Sequence, residues 1–420
     1  MGNPMRTTLE HLFQEAVSVA DPMRVVPAHL PDRPKGRLVV IGAGKASARM
    51  AEAVETVYGP CDGLVITRYG YQRVCSGIEV VQAAHPVPDA AGVDATRRML
   101  AIVSDLGADD LVLVLISGGG SALLCAPAQG LGLADKIAIN EALLASGAPI
   151  GDMNLLRKHL SCVKGGQLAA ACFPARVVTL MISDVAGDDP ADIASGPTVG
   201  DRRGVQAARD ILARYKIKVD QKLDRALSQL GVLDPTDPLL QATENIVIAA
   251  PSQSLAAAAR LGRAQGYDVR VLADDLEGEA RDLGREHAAM AIDIADTMAP
   301  DAAPILLLSG GECTVTRHGD GVGGPNAEYA LAAALALGGH PRIHLLACDT
   351  DGVDGAAEVA GAYVGPQSLI RARTVGADPL AALDANDAHG FFERIDGQIV
   401  TGPTLTNVND FRAIIITPAT

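Results

Sequence analysis

Aromatic residues make up only 3% of this 420-residue chain, and its formal net charge is −15. Both scarcities argue against nucleic acid as a partner, because gripping a phosphate backbone needs a basic face and base stacking needs rings. Long apolar runs are missing too. Although 48% of residues are hydrophobic and mean hydropathy is +0.20, no run reaches the ~20 residues of a membrane span. A soluble globular protein with no membrane partner is expected. The seven cysteines are scattered singly, with no CxxC pair, which argues against a disulfide framework or a zinc site and suits a reducing compartment. The first twenty residues lack a basic n-region and a clean apolar h-region, so a cytoplasmic location is expected. In so acidic a protein, an anionic ligand must find locally concentrated cations.

What is present is a repeated alternation of apolar strands and helices. The runs RLVVIGAG, GLVITRYG, DLVLVLISGGG and VVTLMISDV read as strands separated by helical segments such as KASARMAEAVETVYG and ATRRMLAIVSDLG. Continuous Val/Leu/Ile runs of this kind belong to a parallel sheet covered on both faces, a doubly wound α/β pattern. A helical tract is expected from Leu133 to Ala171 and a further helix around Arg209 to Leu230. GVLDPTDPLL then reads as a linker. A second βα series follows, with strands at NIVIAA, DVRVLA, PILLLSGG, IHLLACDTDG and AIIIT. The expected architecture is therefore two α/β domains, residues 1–237 and 238–420, the first a Rossmann-like doubly wound parallel sheet. Ligands of such sheets bind outside the carboxyl ends of the strands.

Three strands run straight into glycine turns: at Gly42 and Gly44, at Gly118, Gly119 and Gly120, and at Gly310 and Gly311. Glycine lets backbone N–H groups approach a ligand, and a helix starting after the turn adds the positive end of its dipole. Three such cradles suggest a substrate with several anionic groups. The first turn is a poor dinucleotide fingerprint, since Ser47 replaces the third glycine and no acidic residue ends GLVITRYG. It is not a Walker A loop either. Lys45 places a cation at a helix N-terminus, where it opposes the dipole, so a task for that charge such as gripping a phosphoryl group is favoured over a solvated surface lysine. The hydroxyls of Ser117 and Ser121 flank the second turn as further donors. Asn154, Arg157, Ser161 and Lys164 fall at helical spacing and would form a positive stripe, with His159 a packing residue. Asp184 and Asp188 follow one buried strand and Asp351 another; hard oxygen ligands there suit Mg²⁺, while ordinary Asx turns explain the same loops.

The ordered motifs GAGKAS, HPVPD, SGGGSALL, INEALLASGA, NLLRKHLSCVKGGQLA, ISDVAGDDPADIASGPTV, EGEA, SGGE, DTDGVDG and TGPTLTNVNDFR resemble the glycerate 2-kinase family, whose C-terminal part is the MOFRL domain and whose members are often labelled hydroxypyruvate reductase. The resemblance spans nearly the whole chain. It implies an ATP-dependent enzyme, with Mg²⁺, that phosphorylates the 2-hydroxyl of D-glycerate in a cleft between the two domains. The family's important lysine matches Lys45. From the chemistry of the residues, Arg157 and Asp184 are the further catalytic candidates, with Ser117 to Ser121, Lys158 and Lys164 expected to bind substrate. Gly42, Gly44, Ser309 to Glu312, Gly324, Asn326, Glu328 and Asn407 would hold the nucleotide, and Asp184, Asp188 and Asp351 the metal. The partners implied are a sugar acid and a nucleotide; a homodimer is left open. The chain departs from the family at Gly321-Val322-Gly323-Gly324-Pro325-Asn326, where relatives commonly read GRGGRN. Two positive charges are absent there, and Arg157 or Lys164 would take over. A related sugar acid as substrate, an NAD(P)H-dependent hydroxypyruvate reductase and a non-catalytic sugar-acid sensor are the alternatives.

Overall fold

The computed structural model describes residues 3–229, 231–355 and 357–419. They form two compact units. One comprises Pro22–Ile248; the other joins residues up to Asp21 to those from Ala249 onward. The chain opens with α1 (Pro4–Ser18), capped by Asn3, whose side chain accepts from the Met5 N–H, and favoured at its first turn by Pro4. Its buried stripe, Leu9, Leu12, Phe13 and Ala16, packs into the core of the second unit beside Leu306, Leu346 and Phe411.

Within Pro22–Ile248, α2 (Pro22–Val25) precedes strand β1 (Leu38–Ala43), α3 (Ser47–Tyr58), β2 (Asp62–Arg68), β3 (Glu79–Ala83), α4 (Ala90–Ile102) and β4 (Leu111–Ile116). After the short α5 (Gly120–Leu123) come α6 (Leu133–Ala145), α7 (Ile150–His159), α8 (Gln167–Cys172), β5 (Arg176–Ile182), α9 (Val205–Arg214), α10 (Gln221–Gln229) and β6 (Thr243–Ala249). The six strands lie in the order β3-β2-β1-β4-β5-β6, and β1 through β5 pair in parallel. This is the doubly wound arrangement expected, with its change of direction between β1 and β4. Every residue of β4 is buried, as an apolar strand covered on both faces should be.

Three expectations are corrected. NIVIAA does not open a second domain: as β6 it closes the first sheet, and the units divide at Ile248 rather than near Asp237. The tract from Leu133 to Ala171 is three helices, broken at Gly147 and at Gly165-Gly166, all of positive φ. The helix expected around Arg209 to Leu230 is two, α9 and α10; Leu230 itself lies outside the described residues.

The second unit continues with α11 (Pro251–Ala264), β7 (Asp268–Val271), β8 (Gly278–Glu279), α12 (Ala280–Thr297), β9 (Ile305–Ser309), β10 (Cys313–Thr314), α13 (Pro325–Leu337), β11 (Ile343–Asp349), β12 (Gly361–Val364), α14 (Ser368–Thr374), α15 (Pro379–Asp384), α16 (Ala388–Arg394), β13 (Gln398–Ile399) and β14 (Asp410–Ile416). Its sheet, ordered β13-β12-β11-β14-β9-β7, is mixed: only β7 and β9 pair in parallel. The Ala-rich α13 is buried on nearly all sides. It packs closely on α12 because Gly284 removes a Cβ that would sit 2.4 Å from the Tyr329 carbonyl oxygen.

Candidate active site

The turns after β1 and β4 meet at the point where the strand order reverses. The Lys45 N–H donates to the Gly118 carbonyl at 2.8 Å, and the Ala46 N–H donates to Ser117 Oγ at 2.9 Å. Gly44, at φ +147°, is required there, since an added Cβ would lie 2.1 Å from Ser117 Oγ. Ser47 Oγ donates to the Leu115 carbonyl at 3.0 Å. The glycine and serines of this turn thus join β1 to β4, and Ser117 belongs to that scaffold. Gly119, at φ +79°, faces His85 and Lys45: a Cβ would come within 3.0 Å of His85 Cδ2 and 3.3 Å of Lys45 Cγ. Lys45, His85 and the second glycine turn therefore converge. Ser121 Oγ lies 2.7 Å from Ser195 Oγ. Ser195 stands in a left-handed turn with Ala194 (φ 61° and 52°), a conformation costly for residues bearing a Cβ. The turn is held by Lys164 Nζ on the Ala194 carbonyl at 3.0 Å and by the Gly165 N–H on the Ser195 carbonyl.

Beside Gly119 and Ser121 opens a cavity of about 220 Å³, walled by α6, α7 and the His85–Pro88 segment. This is below the ~300–1,000 Å³ of drug-sized ligand sites, so it suits a small molecule. Its walls are mostly aliphatic, with Lys136, Asn140 and Arg157 among the polar groups. Arg157 is held by neutral acceptors: Nε and Nη2 donate to Asn140 Oδ1 at 3.1 and 2.9 Å, and Nη1 to Asn154 Oδ1 at 3.2 Å. Burial lowers its pKa. Burial, reinforced by the Lys136 and Arg157 charges, pushes the Lys164 ammonium well below its usual range. Lys136 and Arg157 line the cavity, and Lys164 lies close enough behind them to feel both charges.

Other expected positions are used differently. The stripe read as one helical face is interrupted, because α7 ends at His159 and leaves Ser161 and Lys164 in the following turn. Lys158 turns away from the cavity: its buried ammonium donates to Asp201 Oδ2 at 2.8 Å, and burial of Asp201 is outweighed by hydrogen bonds from Arg203 and Lys158 that hold its pKa low. His159 is a packing residue, with Nε2 3.0 Å from the Arg203 carbonyl. Asp184 is half-buried just after β5. Asp188 has positive φ and a buried Oδ1 without a hydrogen-bond partner. An orphaned hard oxygen next to a second carboxylate loop position fits a divalent cation. Among the described residues no group of three or more His, Cys, Asp and Glu side chains forms a ready-made metal cage. Asp351 is buried, and its Oδ1 accepts from the Val353 N–H at 2.7 Å, the Asx-turn use of that loop.

In the other unit the nucleotide-site expectations fall largely on an interior network. Asn326 Nδ2 donates to Asp410 Oδ1 at 2.6 Å, and Asp354 receives the Asn326 and Ala327 N–H groups at the start of α13. Buried Glu328 pairs with Arg281 at 2.7 Å and accepts from Asn386 Nδ2. Asn407 Oδ1 accepts from the Asn409 N–H. Gly311 and Gly324 are glycines because Leu276 and Asp354 pass within 2.2 and 2.4 Å of where a Cβ would be. Ser309 ends β9, Gly310 offers its carbonyl to buried Arg412, and Glu312 is exposed. Pro325 begins α13, preset for a helical first turn.

Sequence reasoning passed over Lys136, His85 and Ser195. The first lies inside an apolar helix and the others in turns whose partners are remote in sequence; only the tertiary arrangement brings them to the glycine turn.

Comparison with known proteins agrees with this architecture. Residues 8–228 match a family model described as a domain of unknown function, DUF4147, and residues 305–410 match the MOFRL family. The chain is 49% identical over 415 residues, 98% of its length and 94% of the relative's, to an Agrobacterium vitis protein provisionally named hydroxypyruvate reductase. It is 36% identical over 402 residues, 95% of each chain, to the D-glycerate 2-kinase of Thermotoga maritima. The crystal structure of a Thermotoga maritima glycerate kinase superimposes with a TM-score of 0.87 at 35% identity, covering 99% of this chain and 100% of that one. A two-unit α/β protein whose glycine turns meet at the switch point of a parallel sheet is the class these features define. The chain belongs to the glycerate 2-kinase family with a MOFRL region.

Proposed function

We propose that this protein is an ATP-dependent kinase that transfers the γ-phosphoryl group to the 2-hydroxyl of D-glycerate, giving 2-phosphoglycerate and ADP. The observation that carries the proposal is the convergence of Lys45, the Gly119 turn and a small cation-walled cavity at the switch point of the parallel sheet, in a chain similar over 95% of its length to a D-glycerate 2-kinase. Phosphoryl transfer to an alcohol needs positioning and charge neutralisation more than covalent help. Lys45 follows the transferring group as a mobile point charge. Gly118 to Ser121 and Arg157 hold acid or phosphate oxygens, with Lys164 bracing the turn that presents Ser195 to Ser121. Asp184 orients the 2-hydroxyl and accepts its proton. Asp184 and Asp188 would hold Mg²⁺, which when bound neutralises charge on phosphate oxygens. Nucleotide contacts are assigned to the turn Ser309 to Glu312. Purified protein with Mg²⁺, ATP and D-glycerate should release ADP and form 2-phosphoglycerate without 3-phosphoglycerate.

A second reading follows from the name of the 49% identical relative, hydroxypyruvate reductase. Against it, the first glycine turn packs Gly44 and Ser47 onto β4 and its loop, and the second strand ends at Arg68 rather than at an acid for a ribose. Steady NAD(P)H oxidation with hydroxypyruvate and no ADP release would sink the kinase reading.

A further inference from the structure

Lys136 is an anomaly. It lies in α6, a helix of mostly apolar residues, and is 9% exposed, yet its ammonium nitrogen has no hydrogen-bond partner. Burying an ammonium without a partner is costly. The neighbouring carboxylate does not serve it: Asp135 accepts from the Gly132 N–H at 2.6 Å and pairs with Lys222. Glu141, also at the cavity wall, is exposed and makes no ion pair with it. Burial is the main influence on it and lowers its pKa; the Cys125 thiol, near enough to act on the ammonium, opposes that, and Arg157 adds repulsion, while the Lys136 charge in turn lowers Lys164. A buried cation that borders a cavity, lacks a counter-ion and sits among other cations is a site waiting for an anion.

We propose that Lys136 is the carboxylate-reading residue of this cavity and makes the enzyme selective for small 2-hydroxycarboxylates over neutral polyols. The cavity walls support this division of labour. The aliphatic side chains of Ile139, Leu143 and Leu156 line the same cavity and offer nothing to a hydroxylated chain, so recognition of the acid falls on the few polar groups: Lys136 for the carboxylate, Asn140 and Arg157 for other oxygens. An ammonium in such surroundings discriminates steeply, because a neutral ligand leaves it unpaired and an anion does not.

The identity of the acid rests on the kinase reading; the carboxylate preference does not. The test is Lys136→Met, with Lys136→Gln as the second variant should the first not fold, studied by steady-state kinetics and by titration calorimetry of D-glycerate without nucleotide. Glyceramide, in which a neutral amide replaces the carboxylate, is the comparison ligand. In the wild type glycerate should be preferred. In the variants KM and Kd for glycerate should rise roughly ten- to a hundredfold, the range expected for a charged hydrogen bond, while KM for ATP stays unchanged and the preference over glyceramide collapses. Partial rescue of Lys136→Ala by small alkylammonium ions should accompany this, which a merely structural role would not produce. Glycerate affinity unchanged in both neutral variants overturns the proposal even if the kinase reaction is confirmed. Conversely, Lys136-dependent binding of carboxylates by a protein that releases no ADP would sustain it while the kinase reading fails.

Discussion

Arg157 and Lys158 are consecutive cations on α7, and about 100° of helical rotation per residue sends them to opposite tasks. Replacing each by methionine should therefore separate function from stability. Arg157 borders the cavity and is bound only to the neutral side chains of Asn140 and Asn154. Its loss removes a charged contact to the ligand worth about 1.5–3 kcal/mol, so kcat/KM for glycerate should fall roughly ten- to a hundredfold. Stability should change by less than ~1 kcal/mol, because relief of a desolvated charge offsets the lost hydrogen bonds. Lys158 is fully buried against Asp201. Stranding a buried charge outright costs about 3–5 kcal/mol; since Arg203 still bonds Asp201, about 2–3 kcal/mol is expected. For a unit of this size that is a drop in Tm of roughly 5–10 °C, with kcat/KM near normal below the transition. Urea unfolding followed by far-UV circular dichroism, with kinetics varying glycerate and ATP separately, measures both. The reverse pattern, Lys158→Met stable but with a raised KM for glycerate and Arg157→Met destabilised with normal kinetics, would refute this division.

Lys45→Ala should reduce turnover by orders of magnitude while leaving Tm unchanged or slightly raised, since a cation just before α3 opposes its dipole by about 0.3–1 kcal/mol; a near-normal rate would return Lys45 to the surface. Gly44→Ala should be destabilising and inactivating together, because Ser117 must move to admit the Cβ and Ser117 Oγ receives the Ala46 N–H; a folded variant with wild-type activity would show that the joint between the two turns is dispensable. Burial, helped by Arg412 in the first case, pulls His287 and His344 down to about 4. Between pH 6.5 and 4 the unfolded chain therefore binds more protons, and stability should fall as pH drops through that window, by about 2 kcal/mol for each histidine. Urea midpoints at pH 7, 5.5 and 4.5 check this, and His344→Gln should flatten the slope.

The sheet of the first unit was legible because its strands are continuous apolar runs ending in glycine, a signal that depends only on neighbouring residues. β6 was misplaced for the same reason: TENIVIA looks the same whether it ends one sheet or begins another, and only pairing decides. GAYV and the two-residue strands were too short to register, and the direction of pairing in the mixed sheet leaves no local trace. In the candidate site, Lys45 and the Gly118 to Ser121 turn stand out in the sequence by the oddity of their local chemistry. Lys158 could not be distinguished from Arg157 by spacing, because its partner Asp201 is far along the chain. Lys136 left no signal, since its burial at the cavity wall depends on packing that helical spacing does not encode.

The attachment of α1 to the sheet built from residues after Ala249 has a consequence for the order of assembly. During synthesis the first helix emerges long before any surface able to cover Leu9, Leu12 and Phe13 exists. The whole Pro22–Ile248 unit can fold in that interval, since its sequence is inserted between the two segments that make up the other. The second unit is finished only when β14, which places Phe411 against Phe13 with ring centroids 5.8 Å apart, leaves the ribosome. The opening residues thus act as a late-closing clasp: a nascent chain arrested before Phe411 carries one complete unit and one exposed apolar helix, which is the form a chaperone would meet.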